Sequence, residues 1–134
     1  MKSNFGETDM RQAVIAARDR KHFSNLEQVL GKHNFAIEWA GSGKAVLELC
    51  RTQKKIDLLV VDQALEDMKT KEVVEKAIMI NPMINCVPVS SLAHKDFHDF
   101  FEGLGVLAQL PPEPGLQDAE DMLSAVKKVL DLTA

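Results

Sequence analysis

Short apolar runs alternate along this chain with longer stretches in which apolar side chains return every third or fourth position. The runs are Ala13 to Ala17, Phe35 to Trp39, Ile56 to Asp62, Asn85 to Ser90 and Gly105 to Leu110. Each is short and rich enough in β-branched or aromatic residues to predict a strand. Within the third, Asp57 to Val61 is the most continuous apolar stretch, the pattern of a central strand covered on both faces. Between the runs lie stripes of helical period: Phe23, Leu26, Val29 and Leu30; Ala45, Val46, Leu49 and Cys50; Val73, Val74, Ala77 and Ile78; and Phe97, Phe100, Phe101 and Leu104. The fifth, Leu116 to Leu130, places Met122, Leu123, Val126, Val129 and Leu130 on one face. It also sets acids in its first turns against Lys127 and Lys128 near its end, as a helix dipole prefers. Five strand-helix units joined by right-handed crossovers predict an α/β (βα)5 chain, a doubly wound three-layer sandwich around a five-stranded parallel sheet. Pro88 cannot donate to a ladder, so inside the fourth run it predicts a bulge or an unpaired position.

At 134 residues, the chain has the length of one ordinary domain. We expect one core over residues 11–134 and a flexible N-terminal tail over 1–10. Hydrophobic residues make up 46% and charged residues 27%, values that argue against disorder and coiled coil. A formal charge of -4 has the wrong sign for a nonspecific grip on nucleic acid or anionic lipid. Cys50 and Cys86 stand in apolar stretches with no C-x-x-C spacing, which predicts buried thiols in a reducing compartment. No run reaches membrane-spanning length and the start has no apolar signal core, so a cytoplasmic protein is expected. A monomer or weak dimer is expected as well.

In an open parallel sheet the functional crevice lies beyond the carboxyl ends of the strands. The chain offers few candidates there: Arg18 and Asp19 after the first run, Asp62 at the end of the third, Ser90 and Ser91 after the fourth, and Pro111 and Pro112 after the fifth. Asp62, an ionisable group at the mouth of the central strand, is suited to act as nucleophile or metal ligand, or else to cap the next turn.

The stretch from Ala13 to Leu130 resembles the receiver domain of two-component response regulators. The resemblance rests on Asp62 at the end of the third run with its loop Gln63 to Thr70, on Ser42 and Gly43, on Ser90, and on Leu104, Gly105 and Val106. It implies a flavodoxin-like sheet in the order 2-1-3-4-5, and transfer of a phosphoryl group from a phosphohistidine to Asp62. The same resemblance gives Ser90 as the hydroxyl for the phosphoryl oxygens, and Asp19, Asp62 and the Ala64 carbonyl as Mg2+ ligands. The helper set departs from the family pattern. Arg18 replaces one member of the acidic pair, and Pro112 stands near the position of a lysine that the segment lacks. Opposite charges about 4 Å apart are worth roughly 4 kcal/mol at an effective dielectric near 20, so these losses weaken phosphoryl and Mg2+ binding. Arg18 either pairs with Asp62 in the cation's place or points to solvent. The resemblance then implies an atypical, non-enzymatic receiver with weak or absent phosphorylation. Such a protein needs no cofactor, holds Mg2+ weakly at most, and acts by contact with a signalling protein such as a histidine kinase, a phosphotransfer protein or a regulator. Two alternatives stay open: a working single-domain phosphoacceptor using Asp62, and a flavodoxin-like domain that binds a small molecule.

Other features are weaker. Gly41 to Lys44 suggests a phosphate loop, but Walker A needs glycine at 38 and a hydroxyl at 45, where Glu38 and Ala45 stand. His94 and His98, four apart on a predicted helix, could chelate a metal, yet no third ligand is indicated and a solvated face reads better. From His94 to Asp121 seven acids face one base, Lys95, whereas Arg18, Arg20, Lys21 and Lys32 outnumber Asp19 and Glu27 around the first helix. Such polarity can steer a protein partner, or be ordinary surface charge.

Overall fold

A computed structural model describes residues 10–53 and 55–133; the expected tail lies outside them apart from Met10. The chain runs β1 (Arg11–Ala16), a 3-10 turn (Arg20–Phe23) leading into α1 (Ser24–Lys32), β2 (Phe35–Ala40), α2 (Gly43–Thr52), β3 (Leu58–Val61), α3 (Thr70–Ile80), β4 (Asn85–Pro88), α4 (His94–Phe100) and α5 (Leu116–Thr133). All strand pairs are parallel and the sheet order is β2-β1-β3-β4.

Alternate side chains of the strands feed two apolar layers. Ala13, Ile15, Leu58, Val60 and Val87 pack with Phe23, Leu26 and Leu30 of the α1 region and with Met122, Leu123 and Val126 of α5. Val14, Ala16, Leu59, Val61 and Cys86 pack with Val46 and Cys50 of α2, Val73 and Val74 of α3, and Phe97 and Phe101. This is the three-layer arrangement that the alternating pattern predicts. Both cysteines are free and buried, and burial pushes the Cys86 thiol up to about 12. Among the described residues no helix is long and apolar enough to cross a membrane.

The expected fifth strand is a correction. Residues 105–110 lie beside β4 but touch it regularly at one place, a parallel bridge between Val89 and Leu110. There Leu110 N–H donates to the Pro88 carbonyl (3.1 Å) and Ser90 N–H donates to the Leu110 carbonyl (2.9 Å). Val89 N–H points the other way, to Val61 of β3 (2.8 Å), so the next β4 donor facing the segment belongs to residue 88. Residue 88 is proline and has no N–H. The ladder slips as a result: the Cys86 carbonyl is reached by Leu107 (3.1 Å) rather than Ala108, one residue out of step. Gly103 and Gly105, with φ of 87° and 67°, turn the chain just before. They also end the predicted helical stripe early, so Leu104 lies past α4 and Phe100 is 48% exposed.

Candidate functional site

Asp62 follows the last residue of β3, and its N–H donates to the Ala16 carbonyl of β1 (2.9 Å), which seats it at the carboxyl edge of the central strands. The residue is only 7% exposed. Burial pushes its carboxyl above the ordinary carboxylate range, opposed by hydrogen bonds from the backbone N–H groups of Gln63 and Ala64 and by the weaker pull of His22 and Arg18. Ala64, expected to lend its carbonyl to a cation, also lends its N–H to the Asp62 carboxylate. The Thr70 hydroxyl, at the start of α3, donates to the Asp62 carbonyl (2.9 Å).

Ser90 lies two residues past the end of β4 and is buried. Its hydroxyl oxygen accepts the Leu92 N–H (3.0 Å). Beside it opens a cleft of about 270 Å³ lined by Gln63, Lys69, Lys71, Ser91 and Phe100 among others. The ammonium of Lys71 lies 4.8 Å from the Phe100 ring centre. The segment 105–115 carries no lysine; Pro111 and Pro112 are exposed, and Glu113 beside them adopts φ of 49°.

Asp19 and Arg18 make contacts of their own near this edge. Asp19 caps the 3-10 turn by accepting the Lys21 N–H (3.0 Å), and its other oxygen lies 3.7 Å from His22 Nε2. Arg18 reaches Glu66 (3.4 Å), with both side chains more than half exposed. Of the two expectations for Arg18, the side chain faces solvent, where it pairs with Glu66 of the β3–α3 loop and not directly with Asp62. Among the described residues no three His, Cys, Asp or Glu side chains converge to hold a metal. Mg2+ is commonly held by one or two carboxylates with waters completing its shell; of the carboxylates expected to hold it, Asp62 is buried and Asp19 also caps a turn.

Several residues that shape the site escape a reading by motif. Asp67 accepts the N–H groups of Gly43 (2.8 Å) and Lys44 (3.0 Å) at the start of α2, while Ser42 caps the same helix by accepting the Ala45 N–H (3.1 Å). The glycine-rich stretch that suggests a phosphate loop thus holds a carboxylate of the chain itself, and those N–H groups pull the Asp67 carboxyl below the usual range. Gly43 is needed there: a Cβ would sit 2.8 Å from Met68 Cβ and 3.1 Å from Val73 Cγ2. The β4–α4 loop is clasped on two sides. Gln63 Oε1 accepts the Ser91 N–H (3.1 Å), and Gln109 Nε2 donates to the carbonyls of Ser90 (3.2 Å) and Leu92 (2.8 Å).

No protein-family model matches the chain, and no curated protein matches it. Solved structures do. A CheY-like response regulator receiver domain protein from Methanospirillum hungatei JF-1 superposes with a TM-score of 0.75 at 22% identity, over 92% of this chain and 95% of that one. The chemotaxis response regulator CheY4 of Vibrio cholerae gives 0.76 at 13% identity, over 87% and 98%. A response regulator of Burkholderia pseudomallei, solved with a phosphorylated aspartic acid, a calcium ion and citrate, gives 0.70 at 17% identity, over 94% and 74%. With the parallel β2-β1-β3-β4 sheet and helices on both faces, these likenesses establish that the chain has the CheY-like, flavodoxin-like fold of response regulator receiver domains.

Proposed function

We propose that the protein is an atypical receiver that acts in signal transduction by protein contact, without catalysis of its own, and that Asp62 is a slow or vestigial phosphoacceptor. The observation that carries this reading is the state of the helpers around a retained acceptor. Asp62 and Ser90 stand at adjacent strand ends, while Asp19 caps a turn, Arg18 pairs with Glu66, and no lysine stands between residues 105 and 115. Phosphoryl transfer to a carboxylate depends on neutralising charge on the transferring oxygens. A carboxyl that burial already disfavours as an anion, with no firmly held cation beside it, is a poor place to add more negative charge. Asp62 and Ser90 would hold the acceptor and hydroxyl positions if transfer occurs; Mg2+ held by Asp19, Asp62 and the Ala64 carbonyl would be weak.

The β4–α4 loop supports a constitutive mode. Receivers switch when the strand-four hydroxyl and its loop move, a two-state rearrangement biased by local charge. Here Gln63 and Gln109 tie that loop from both sides. The partner we infer is a signalling protein that reads this edge in one state.

Intact-mass analysis after incubation with a small phosphodonor and Mg2+ tests the reading. We expect no gain of a phosphoryl mass under conditions that label an ordinary receiver. A stoichiometric gain, lost in Asp62→Asn, would establish the alternative of a working phosphoacceptor, which the retained Asp62 and Ser90 favour.

A further inference from the structure

His94 and His98 take no part in the site described above. They lie one turn apart on α4, both exposed, while Phe97 between them is buried. Their Nε2 atoms approach to 3.2 Å, with ring centres 4.4 Å apart and ring planes at 89°. Two imidazole nitrogens at that distance either share a proton, one N–H donating to the other's lone pair, or form one edge of a metal's coordination polyhedron. With metal–nitrogen bonds of about 2.0–2.1 Å, nitrogens at angles between a right angle and the tetrahedral angle lie about 2.9–3.4 Å apart. The observed separation falls inside that interval without any movement of the helix.

The surroundings leave room and supply the right field. A cleft of about 320 Å³ opens beside the pair, lined by Phe97, Val106, Leu107 and Gln109 as well as the two histidines. A second, of about 340 Å³, brings Asp99 and Glu102 up to His98. Asp96 adds a third acid nearby in the chain, against one base, Lys95. Acids at this spacing raise the local concentration of cations without ligating them.

We propose that His94 and His98 form a two-imidazole site for a late divalent transition metal, Cu2+ ahead of Zn2+, separate from the Asp62 edge. Imidazole nitrogen suits these borderline cations, whereas Mg2+ and Ca2+ want oxygen and do not compete. Both rings then bind through Nε2 and carry their proton on Nδ1. Where one ring donates from Nε2, that proton relocates to Nδ1 of its own ring through solvent, and none is lost. The protein supplies two donors, and water completes the coordination shell. Because α4 spans only seven residues and has no side-chain N-cap, a metal joining its successive turns stabilises the folded state over the unfolded one.

Titration of the full chain with Cu2+, followed by electron paramagnetic resonance, and with Zn2+, followed by calorimetry, tests the site. Wild type is expected to bind one Cu2+ with a two-nitrogen hyperfine pattern and to show a higher Tm with either metal. Each of His94→Gln and His98→Gln should weaken binding about tenfold or more and lose the two-nitrogen signature, while Asp62→Asn and excess Mg2+ leave the metal affinity and that signature unaltered. Both histidines are exposed, so the variants should keep the wild-type circular dichroism. Absence of binding, binding unchanged in the double variant, or loss of the signal in Asp62→Asn would each overturn the proposal. The last result would place the metal at the acceptor edge instead, and none of these outcomes depends on whether Asp62 is phosphorylated.

Discussion

Burial holds the Asp62 carboxyl above the ordinary carboxylate range, whereas the N–H groups of Gly43 and Lys44 hold Asp67 below it. The two give opposite pH signatures. Between the ordinary value and its raised native value, Asp62 binds more protons folded than unfolded, so its contribution to stability falls as pH rises through that interval and remains a cost at neutral pH. Asp62→Asn should therefore raise Tm at neutral pH, by an increment that vanishes below the ordinary carboxylate range. Asp67 is the reverse: its contribution is present above the ordinary value and is lost as pH falls through the lowered one. Asp67→Asn should melt lower than wild type at neutral pH and match it in strong acid. Thermal melts of the three proteins across about pH 3 to 7 decide this, and parallel curves would contradict it. Gly43→Ala should destabilise by about 1–3 kcal/mol in denaturant titration despite alanine's better helix propensity, because its Cβ meets Met68 and Val73. Asp62 and Ser90 are legible in the sequence because each ends an apolar run. Asp67 and Gln109 are not, because what they do depends on Gly43 and Ser90, 24 and 19 positions away.

For whole elements, apolar pattern reads well and hydrogen-bond direction reads poorly. The stripes of α1, α2, α3 and α5 and the runs of the first four strands all find their places, since burial of one face is a property of composition and period. The fifth run fails because Pro88 denies it a donor, and the side of a strand on which a missing N–H falls is set by register, not by composition. Pro88→Val restores that donor while keeping an apolar side chain of similar bulk. It should yield a slowly exchanging amide at position 88 and new protection at Ala108, read by hydrogen exchange. Unchanged exchange across residues 105–110 would mean that the glycines at 103 and 105, rather than the proline, keep the segment out of the ladder.

For the molecule as a whole, the charge polarity noted along the chain is partly folded back on itself. α5 packs against α1, and His33, just past α1, lies 3.7 Å from Glu120. The acids of α4 and the exposed face of α5 remain outward. Charge reversal by Asp96→Lys with Asp121→Lys should reduce capture of a signalling partner in pull-downs, whereas Asp62→Asn should not. Asp118 is left intact in this design because it accepts the Gly115 N–H (2.9 Å) at the start of α5. If Asp62→Asn alone abolished the interaction while the charge reversal spared it, a phosphorelay would replace the constitutive mode. The glutamine clasp on the β4–α4 loop has a kinetic consequence for such a partner. A loop that must be ordered on docking slows productive encounter and takes a share of the interaction free energy. This one has given up its conformational freedom before the partner arrives. Association should then be a rigid-body event whose rate follows ionic strength, and whose heat-capacity change reflects buried apolar surface with no folding component.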